Sequence, residues 1–598
     1  MLASLSTGAP QSPCLWLFDD HSGCWLHFSR PQRIVVAHQL QQVPAVLAEV
    51  RRATENGWHA AGFLAYEAAP AFDPAFITHT GNGFPLAWFG IFDAPQQLAE
   101  LPGSHGRFSL SPWQMTLSRN EYLHAIASIK KHIAAGDTYQ VNFTMRLRSR
   151  FSGDAFALFQ SLHAGQQSRF SAFADTGDFY ICSASPELFF RQQGEIVRTR
   201  PMKGTAARGL TSAQDHERRL WLEQSEKNRA ENLMIVDMLR NDLGRLARIG
   251  SVRVPSLFAL ERYPTVWQMT SEVSANIPLH PAETLAGLFP CASITGAPKA
   301  STMSIIAGLE NSPRRIYTGS IGFISPNRTA QFNVAIRTVL IDKQQGVAEY
   351  GTGSGVVQDS DPQEEWQECR LKAEVLLRKW PSFRLLETLL WQPDEGFAYL
   401  HEHLDRLSQS AQYFGFSCHR QEIEQALNLA AETFPPEARK VRLLVSQTGT
   451  WHIENHPLPG AGEGPLRLAL AAQPVQIDSV FLYHKTTWRT LYEQARRGCP
   501  QADDVILWNE KGQLTETTIA NLALRIDGRW LTPPVSCGLL AGIERARLLA
   551  EGKIHEAPLP VEALQRNEGI AVFNSVRGWQ QAVMLQEADS LEKLRISS

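Results

Sequence analysis

The sequence is poor in the features that mark several protein classes. Lysine and arginine total 57 against 60 aspartate and glutamate, a net charge of −3, so no basic excess is available for a phosphate backbone or an anionic membrane surface. The eight cysteines, at 14, 24, 182, 291, 369, 418, 499 and 537, form no CxxC pair and no zinc-like cluster, and read as reduced thiols. No apolar run reaches the length that crosses a bilayer. The opening MLASLSTGAPQSPCLWLFDD lacks a basic n-region and an apolar h-region, so no signal peptide is expected. These absences argue against nucleic acid and membrane as partners and make the cytoplasm the expected location. What is there is a chain of 598 residues, 43% hydrophobic and 20% charged, the ordinary balance of a globular protein and enough for about four domain-sized units or two large ones.

The pattern predicts a mixed α/β (α+β) chain in two parts. Residues 1–115 alternate short apolar runs, such as Cys14-Leu15-Trp16-Leu17-Phe18, with turns, and carry no catalytic motif. Residues 116–380 hold most of the polar motifs, and residues 381–598 restart after a boundary at Trp380-Pro381-Ser382. From Ser118 the spacing of Tyr122, Ile126, Ile129 and Ile133 predicts a helix ending at Gly136, and GDTYQVNFTMRLRSR after it alternates as a strand. Residues 225–246 read as a mostly buried helix, with Leu233 among its apolar positions and Asn228 and Glu231 on one face. Over 360–380, Ser360 as N-cap and Pro362 in the first turn predict a helix that places Glu365, Glu368 and Lys372 together. A surface pair of Glu368 with Lys372 explains that face as well as a metal site does.

One stretch organises the rest: RPMKGTAAR, residues 200–208. Lys203 is expected where a strand runs into a tight turn. A lysine held away from water beside other cations can lose its proton and act as a nucleophile, although a lone lysine is most often a surface residue. PMKGT resembles the PIKGT signature of the aminodeoxychorismate synthase component I group of chorismate-utilising enzymes, whose lysine attacks C2 of chorismate; related anthranilate synthases carry alanine there. Further stretches resemble the same family in the same order. Gln140, in GDTYQVN, stands where water-adding relatives carry a lysine base. SPELF at 185–189 contains Glu187, to which no chemical role is given. AENLMIVD begins at Ala230. SITGAPK at 293–299 implies Thr295 and Gly296 in the pocket and a structural Lys299.

Tyr317, Arg337, Lys372 and a Gly353-Ser354-Gly355 turn resemble the family's carboxylate-binding set. Gln268 stands where relatives carry a histidine near the leaving hydroxyl, so another proton donor must serve. The resemblance, over about 120–378, implies a fold of packed β-sheets flanked by helices. It also implies a Mg²⁺ held by Glu231 and Glu368, with Glu365 binding directly or through water, and Asn228 where relatives often have a second carboxylate. The activity implied is amination of chorismate. No cysteine sits in a glutaminase-like elbow, so the ammonia is expected from a separate glutamine amidotransferase subunit.

The last part resembles fold-type IV pyridoxal-phosphate enzymes over about 383–590. Arg406, in HLDRL, matches the arginine that grips the cofactor phosphate. Lys485, in HKT, is expected after a strand and before a helix, and matches the lysine that carries the cofactor. Glu516 matches the partner of the pyridinium nitrogen. Thr517 and Thr518, with the main chain of Gly542 and Ile543, match the phosphate cradle; Glu544 stands where many aminotransferases have threonine. Arg577, in NSVRG, is placed to meet a substrate carboxylate. The resemblance implies pyridoxal 5′-phosphate and admits a homodimer through this part. A chorismate aminator joined to such a unit is expected to feed it, so the second reaction implied is elimination of pyruvate to give 4-aminobenzoate for folate synthesis. The alternatives are a class IV amino-acid aminotransferase or a non-catalytic docking module; Lys203 disfavours anthranilate synthesis.

Overall fold

The computed structural model describes residues 13–374 except 82 and 105, and residues 381–585 except 459 and 461–463. The readings of residues 1–12, of the end of the 360–380 helix, of Trp380 at the boundary and of the last residues of the chain lie outside the described residues. Residues 1–207 with 219–380 make one unit, and residues 208–218 with 381–598 make a second. Among the described residues no helix is long and apolar enough to cross a membrane.

The first unit is built on two mainly antiparallel sheets. One runs Gly296–Ala297, Gln140–Gly153, Val347–Val356, Thr338–Asp342, Phe179–Ser185, Phe170–Asp175, Cys14–Asp19, Cys24–Ser29, Gln96–Leu98. The other runs Met202–Ala207, Val266–Asn276, Ile196–Arg200, Leu188–Gln193, Thr329–Val334, Ser320–Ser325, His59–Leu64, Ala87–Phe92, Arg33–Ala37. Both draw strands from either side of residue 115. Alternate residues of each strand face inward, so Leu15, Leu17 and Phe28 of the first sheet pack on Ala61, Phe63, Ile321 and Phe323 of the second.

The helix Glu226–Gly244 covers the second sheet with Ile235, Val236, Leu239 and Leu243. It is less buried than predicted, with Leu233 44% exposed, because only one stripe of a 3.6-residue helix can meet a sheet. The helix Arg119–Ala134 starts on a capping box between Ser118 and Glu121. The helix Pro362–Glu374 is capped by Asp361 in place of Ser360. Asp361 Oδ1 accepts from the N–H groups of Gln363 (2.8 Å) and Glu364 (3.0 Å), while Ser360 Oγ accepts from Val357 (3.1 Å).

A buried ion pair sets the position of two site segments. Arg314 Nη2 donates to Glu310 Oε1 at 2.6 Å and to the Asn142 carbonyl at 2.7 Å, and its Nη1 donates to the Ile294 carbonyl at 2.9 Å. Glu310 Oε1 also accepts from Thr144 N–H and Oγ1, at 2.9 and 2.7 Å. A buried pair with its hydrogen bonds filled in this way gives register more than stability. Here it fixes the main chain beside Gln140 and beside Thr295-Gly296.

The second unit contains a four-stranded antiparallel sheet, Gly396–Phe397, Leu385–Gln392, Arg439–Val445, Trp451–Pro457. Its larger mixed sheet runs Leu514–Thr517, Asp504–Trp508, Leu466–Leu470, Gly578–Met584, Gly569–Asn574, Asn521–Ile526, Arg529–Thr532, His555–Glu556. Pairing of Glu516 with Asn521 closes six of these strands on themselves. The helix Leu400–Phe414 turns Leu404, Leu407, Ala411 and Phe414 inward and stops at Gly415, at φ +77°.

Candidate active sites

Lys203 lies inside the strand Met202–Ala207. Pro201 separates that strand from Ile196–Arg200, and Gly204, at φ +92°, sits where its pairing to Val266–Asn276 shifts register, so a bulge replaces the expected turn. A Cβ on Gly355 would stand 2.4 Å from Lys203 Nζ and 2.9 Å from Gln140 Nε2, so amine and amide meet over bare main chain. Gln140 is buried and neither its Oε1 nor its Nε2 has a hydrogen-bond partner, an arrangement that favours a polar ligand. The lysine strand is held from behind. Asn232 Nδ2 donates to the Lys203 carbonyl (3.1 Å), Gln268 Nε2 to the Gly204 carbonyl (2.9 Å), and Thr205 Oγ1 to Gln268 Oε1 (3.0 Å). Gln268 therefore serves the scaffold.

Glu187, given no role from sequence, is 4% exposed and accepts from Ser293 Oγ at 2.7 Å. Burial pushes its carboxyl up to about 7, against the Ser293 hydroxyl, the Lys203 charge and the Met202 N–H, which pull it down. A carboxyl that titrates near neutrality beside a nucleophile is a candidate proton donor. Only the fold shows this, because Pro-Glu-Leu at a strand end looks structural.

Two helices bring carboxylates together. Burial raises the Glu231 carboxyl; Lys203 and Lys227 lower it, and Glu368 and Glu365 raise it further. Burial also raises Glu368, but Lys372, donating at 2.6 Å, holds it below the usual range. Glu365 Oε2 is buried with no hydrogen-bond partner. Among the described residues no three His, Cys, Asp or Glu side chains already stand as a metal cluster. The hard oxygens, one of them orphaned, nevertheless suit Mg²⁺, which takes one or two protein carboxylates and completes its shell with water and substrate.

The Gly353-Ser354-Gly355 segment is strand, not turn, with Gly353 opposite Thr144 and Gly355 opposite Asn142. Its glycines serve close approach: a Cβ on Gly353 would stand 2.5 Å from the Phe143 carbonyl. Lys372 Nζ donates to the Gly353 carbonyl at 2.9 Å. Gly296 likewise has no room for a side chain, its Cβ position lying 2.0 Å from the Gln140 carbonyl. Thr295 Oγ1 is committed to the Cys291 and Ala292 carbonyls (3.2 and 3.1 Å), and Ser354 Oγ lies 2.9 Å from the Tyr122 hydroxyl. Tyr317 is buried under Gly351, with Arg146 Cζ 5.2 Å from its ring. Arg337 donates to Gln166 and lies 6.0 Å from the Tyr263 ring. Lys299 joins Asp242 and the Pro290 carbonyl, each at 2.9 Å. Lys203, Gln140 and Gly355 thus converge, while the hydroxyls of Thr295 and Ser354 face other protein groups.

In the second unit Lys485 lines a cavity of about 280 Å³. The chain before it is a 3₁₀ turn, Val480–Leu482, where a strand was expected, and the helix Thr490–Gly498 follows. Burial, helped by the charges of Arg406 and Arg489 and opposed by Glu387 and Glu516, lowers the Lys485 amine to about 8. Glu516 is buried and accepts from the Tyr492 hydroxyl (2.9 Å) and the Leu540 N–H (3.3 Å); burial pushes it up to about 8. Arg406 donates twice to Glu387, at 2.9 and 2.7 Å. Against burial, Arg406 and His403 hold Glu387 down to about 2.

Gly542 opens the helix Ile543–Ala550, and a Cβ there would stand 2.0 Å from Asn521 Oδ1. Glu544 pairs with Arg547 at 2.6 Å, which leaves the main chain of Gly542 and Ile543 to the cavity. Thr517 Oγ1 donates to the Ala520 carbonyl (3.0 Å) and Thr518 Oγ1 to Asp504, although both residues line the cavity. Arg577 lines it and is exposed.

Three cations of the cavity were missed: Lys440, Arg442 and Arg489. Lys440 and Arg442 are two apart on the strand Arg439–Val445 and so share a face, and alternating cations in a strand read as solvated. Arg489 lies 4.5 Å over the Tyr492 ring. An amine, a buried carboxyl, an arginine and a bare helix start are the donor set that a pyridoxal ring and its phosphate require.

Comparison with known proteins agrees with this division. The chorismate binding enzyme family matches residues 12–378, and the class IV amino-transferase family matches residues 384–584. Aminodeoxychorismate synthase component 1 of Klebsiella aerogenes is 40% identical over 300 residues, which cover 50% of this chain and 64% of that protein. Its counterpart from Bacillus subtilis is 39% identical over 330 residues, 53% of this chain and 70% of that protein. The chain therefore spans less than two thirds of the first relative's length. Anthranilate synthase component I from Streptococcus pneumoniae, at 23% identity and TM-score 0.50, shares the fold over 62% of this chain and 91% of its own.

Proposed function

Through residues 12–378 the chain belongs to the chorismate binding enzymes, and we propose that its first unit aminates chorismate to 4-amino-4-deoxychorismate while its second removes pyruvate from that product to leave 4-aminobenzoate, a folate precursor. The observation that carries the reading is a single chain with two site amines, Lys203 against Gly355 and Gln140, and Lys485 in a cationic cavity. In the first unit Lys203 adds at C2 as the C4 hydroxyl leaves, and Glu187 gives that hydroxyl its proton. Ammonia then adds at C4 and the lysine departs from C2. Gln140 offers an amide and no base, which disfavours addition of water. The two carboxylates of chorismate require a guanidinium, an ammonium and main-chain N–H groups, the roles of Arg337, Lys372 and Gly353 to Gly355. Magnesium held by Glu231 and Glu368, with Glu365 direct or through water, would neutralise the C1 carboxylate. The relatives are named as component 1, which favours a separate glutamine amidotransferase as the source of ammonia.

Pyridoxal phosphate, when bound in the second unit, would supply an electron-withdrawing ring. Lys485, with its amine near 8, takes the C4 proton, the substrate's C3–O bond breaks as its own ring aromatises, and the enol that departs takes a proton at its methylene carbon to become pyruvate. Glu516, which lines the cavity, would pair with the pyridine nitrogen of the cofactor. Arg406 and the main chain of Gly542 and Ile543 would hold its phosphate. Arg577 with Lys440, Arg442 and Arg489 takes the substrate's carboxylates, a role for which neighbouring cations in a half-enclosed cavity are suited. The purified chain, supplied with chorismate, ammonia, Mg²⁺ and pyridoxal phosphate, should release 4-aminobenzoate and pyruvate in equal amounts, identified by mass. Aminodeoxychorismate as the end product would remove the second step. Transfer of an amine to an oxo acid without pyruvate would make the second unit an aminotransferase, and anthranilate would overturn the first step.

A further inference from the structure

Residues 208–218 belong to the second unit although they fall within the first half of the sequence. Their core is a buried pair, with Arg208 and Asp215 side chains 5% and 7% exposed. Arg208 donates through Nε to Asp215 Oδ1 at 2.6 Å and through Nη2 to Oδ2 at 2.8 Å, and Asp215 Oδ1 also accepts from the Gly209 N–H at 3.0 Å. The same guanidinium reaches the helix Leu400–Phe414. Its Nη2 donates to the Tyr413 carbonyl at 2.8 Å, and its Cζ lies 4.1 Å over the Tyr413 ring. The Tyr413 hydroxyl returns a bond to the Gly209 carbonyl at 2.7 Å.

What Tyr413 touches next is the residue before the cofactor lysine. Its ring lies tilted 4.4 Å from that of His484, Phe414 lies 4.9 Å from the same imidazole, and Ser410 Oγ stands 3.0 Å from His484 Nδ1. Burial lowers His484 to about 4, so the ring is neutral and packs as an aromatic plate. Lys485 itself is anchored by its carbonyl, which accepts from Leu386 N–H at 3.0 Å. Arg406, Ser410 and Tyr413 lie along one helix, so whatever fixes Tyr413 fixes both the arginine and the imidazole next to the lysine.

We propose that residues 208–218 are a clamp that positions Lys485 and Arg406 for the cofactor, with the Arg208–Asp215 pair as its lock. A buried bidentate pair is directional, and an amide in place of the acid takes a counter-charge from a guanidinium that is itself buried, so the clamp should be sensitive to that single exchange. It acts through Tyr413 and His484 and touches neither substrate nor cofactor. The proposal rests on Lys485 being the cofactor lysine.

The test uses the full chain and two variants. Asp215→Asn breaks the lock; Tyr413→Phe keeps the ring and loses the hydroxyl bond to Gly209. Cofactor affinity is read from the visible band of bound pyridoxal phosphate, and the midpoint of that band's pH titration reports the setting of Lys485. Asp215→Asn should weaken cofactor binding tenfold or more and move the midpoint, and Tyr413→Phe should move both in the same direction by less. If Asp215→Asn does not fold, Tyr413→Phe decides. Affinity within twofold of wild type and an unmoved midpoint in the folded variants, with borohydride still fixing the cofactor on Lys485, overturns the clamp alone. A wild-type chain with no cofactor on Lys485 overturns the reading of the second unit, and the clamp with it.

Discussion

The two site lysines reach their settings by different routes. Lys203 stands on a strand, and what makes its place special is the missing side chain of Gly355 and the unpaired amide of Gln140 opposite. The group beside it that titrates near neutrality is a neighbour, Glu187. Lys485 stands in an irregular loop on the wall of a cavity, and there burial and the flanking Arg406 and Arg489 act on the lysine itself. The first site depends on how closely main chain can approach, the second on which charges surround an amine. A lysine that must add and leave needs a precise line to one carbon, whereas a lysine that moves protons needs a matched affinity.

The most forceful way to break this comparison is to exchange the roles. Lys203→Ala should lower amination of chorismate by about 10³-fold or more while supplied aminodeoxychorismate is still converted, and Lys485→Ala should do the reverse, with aminodeoxychorismate accumulating. Loss of both activities in either variant would show that the sites are not separable. Glu187→Gln should cost amination roughly 10² to 10⁴-fold. Its carboxyl is raised to about 7, so the proton-donating form disappears as pH climbs through that value; wild-type loss of C4 hydroxyl should fall there, and the variant should lose this dependence. The second reaction should instead gain as Lys485 loses its proton towards pH 8.

Arg314→Met takes the nearer of two counter-charges from buried Glu310 and leaves it Arg146, at 3.6 Å, and should lower the stability of the first unit by about 3 kcal/mol in urea unfolding, with cofactor binding unchanged. Gly355→Ala sharpens the contrast further. The nearest atoms to the added methyl are the mobile ends of Lys203 and Gln140, so the melting temperature should hardly move while amination falls by roughly 10²-fold. The smallest effect is expected from Glu365→Gln, a roughly tenfold rise in the Mg²⁺ needed for half-maximal amination.

Much of the fold was legible because local chemistry and tertiary role agree. Ser118 with Glu121 marks a helix start whatever surrounds it, and the alternation after Gly136 yields the strand Gln140–Gly153. The misreadings share one cause. Gly353 to Gly355 looks like a turn until an opposing strand is known to pass within reach. Residues 480–482, apolar like a strand, pair with no strand among the described residues and curl into a 3₁₀ turn. Leu233 looks like core until the sheet claims a different stripe of its helix. For the sites, residue types that need only a motif, such as Lys203 and Lys485, could be picked out. Glu187 and the cations Lys440, Arg442 and Arg489 could not, because burial and a shared cavity are properties of distant segments meeting.

The discontinuity of the second unit bears on how such a chain can be divided. A protease or a gene break between residues 374 and 381 would separate two polypeptides, yet only one of them would carry its whole structure. The C-terminal piece would lack Arg208, Gly209 and Asp215, and with them the bonds that Arg208 and Gly209 make to Tyr413 at the far end of the Leu400–Phe414 helix. The halves are joined in sequence by a short connection, but they are bound to each other as a pair of inheritances by eleven residues, 208 to 218, that one half encodes and the other uses.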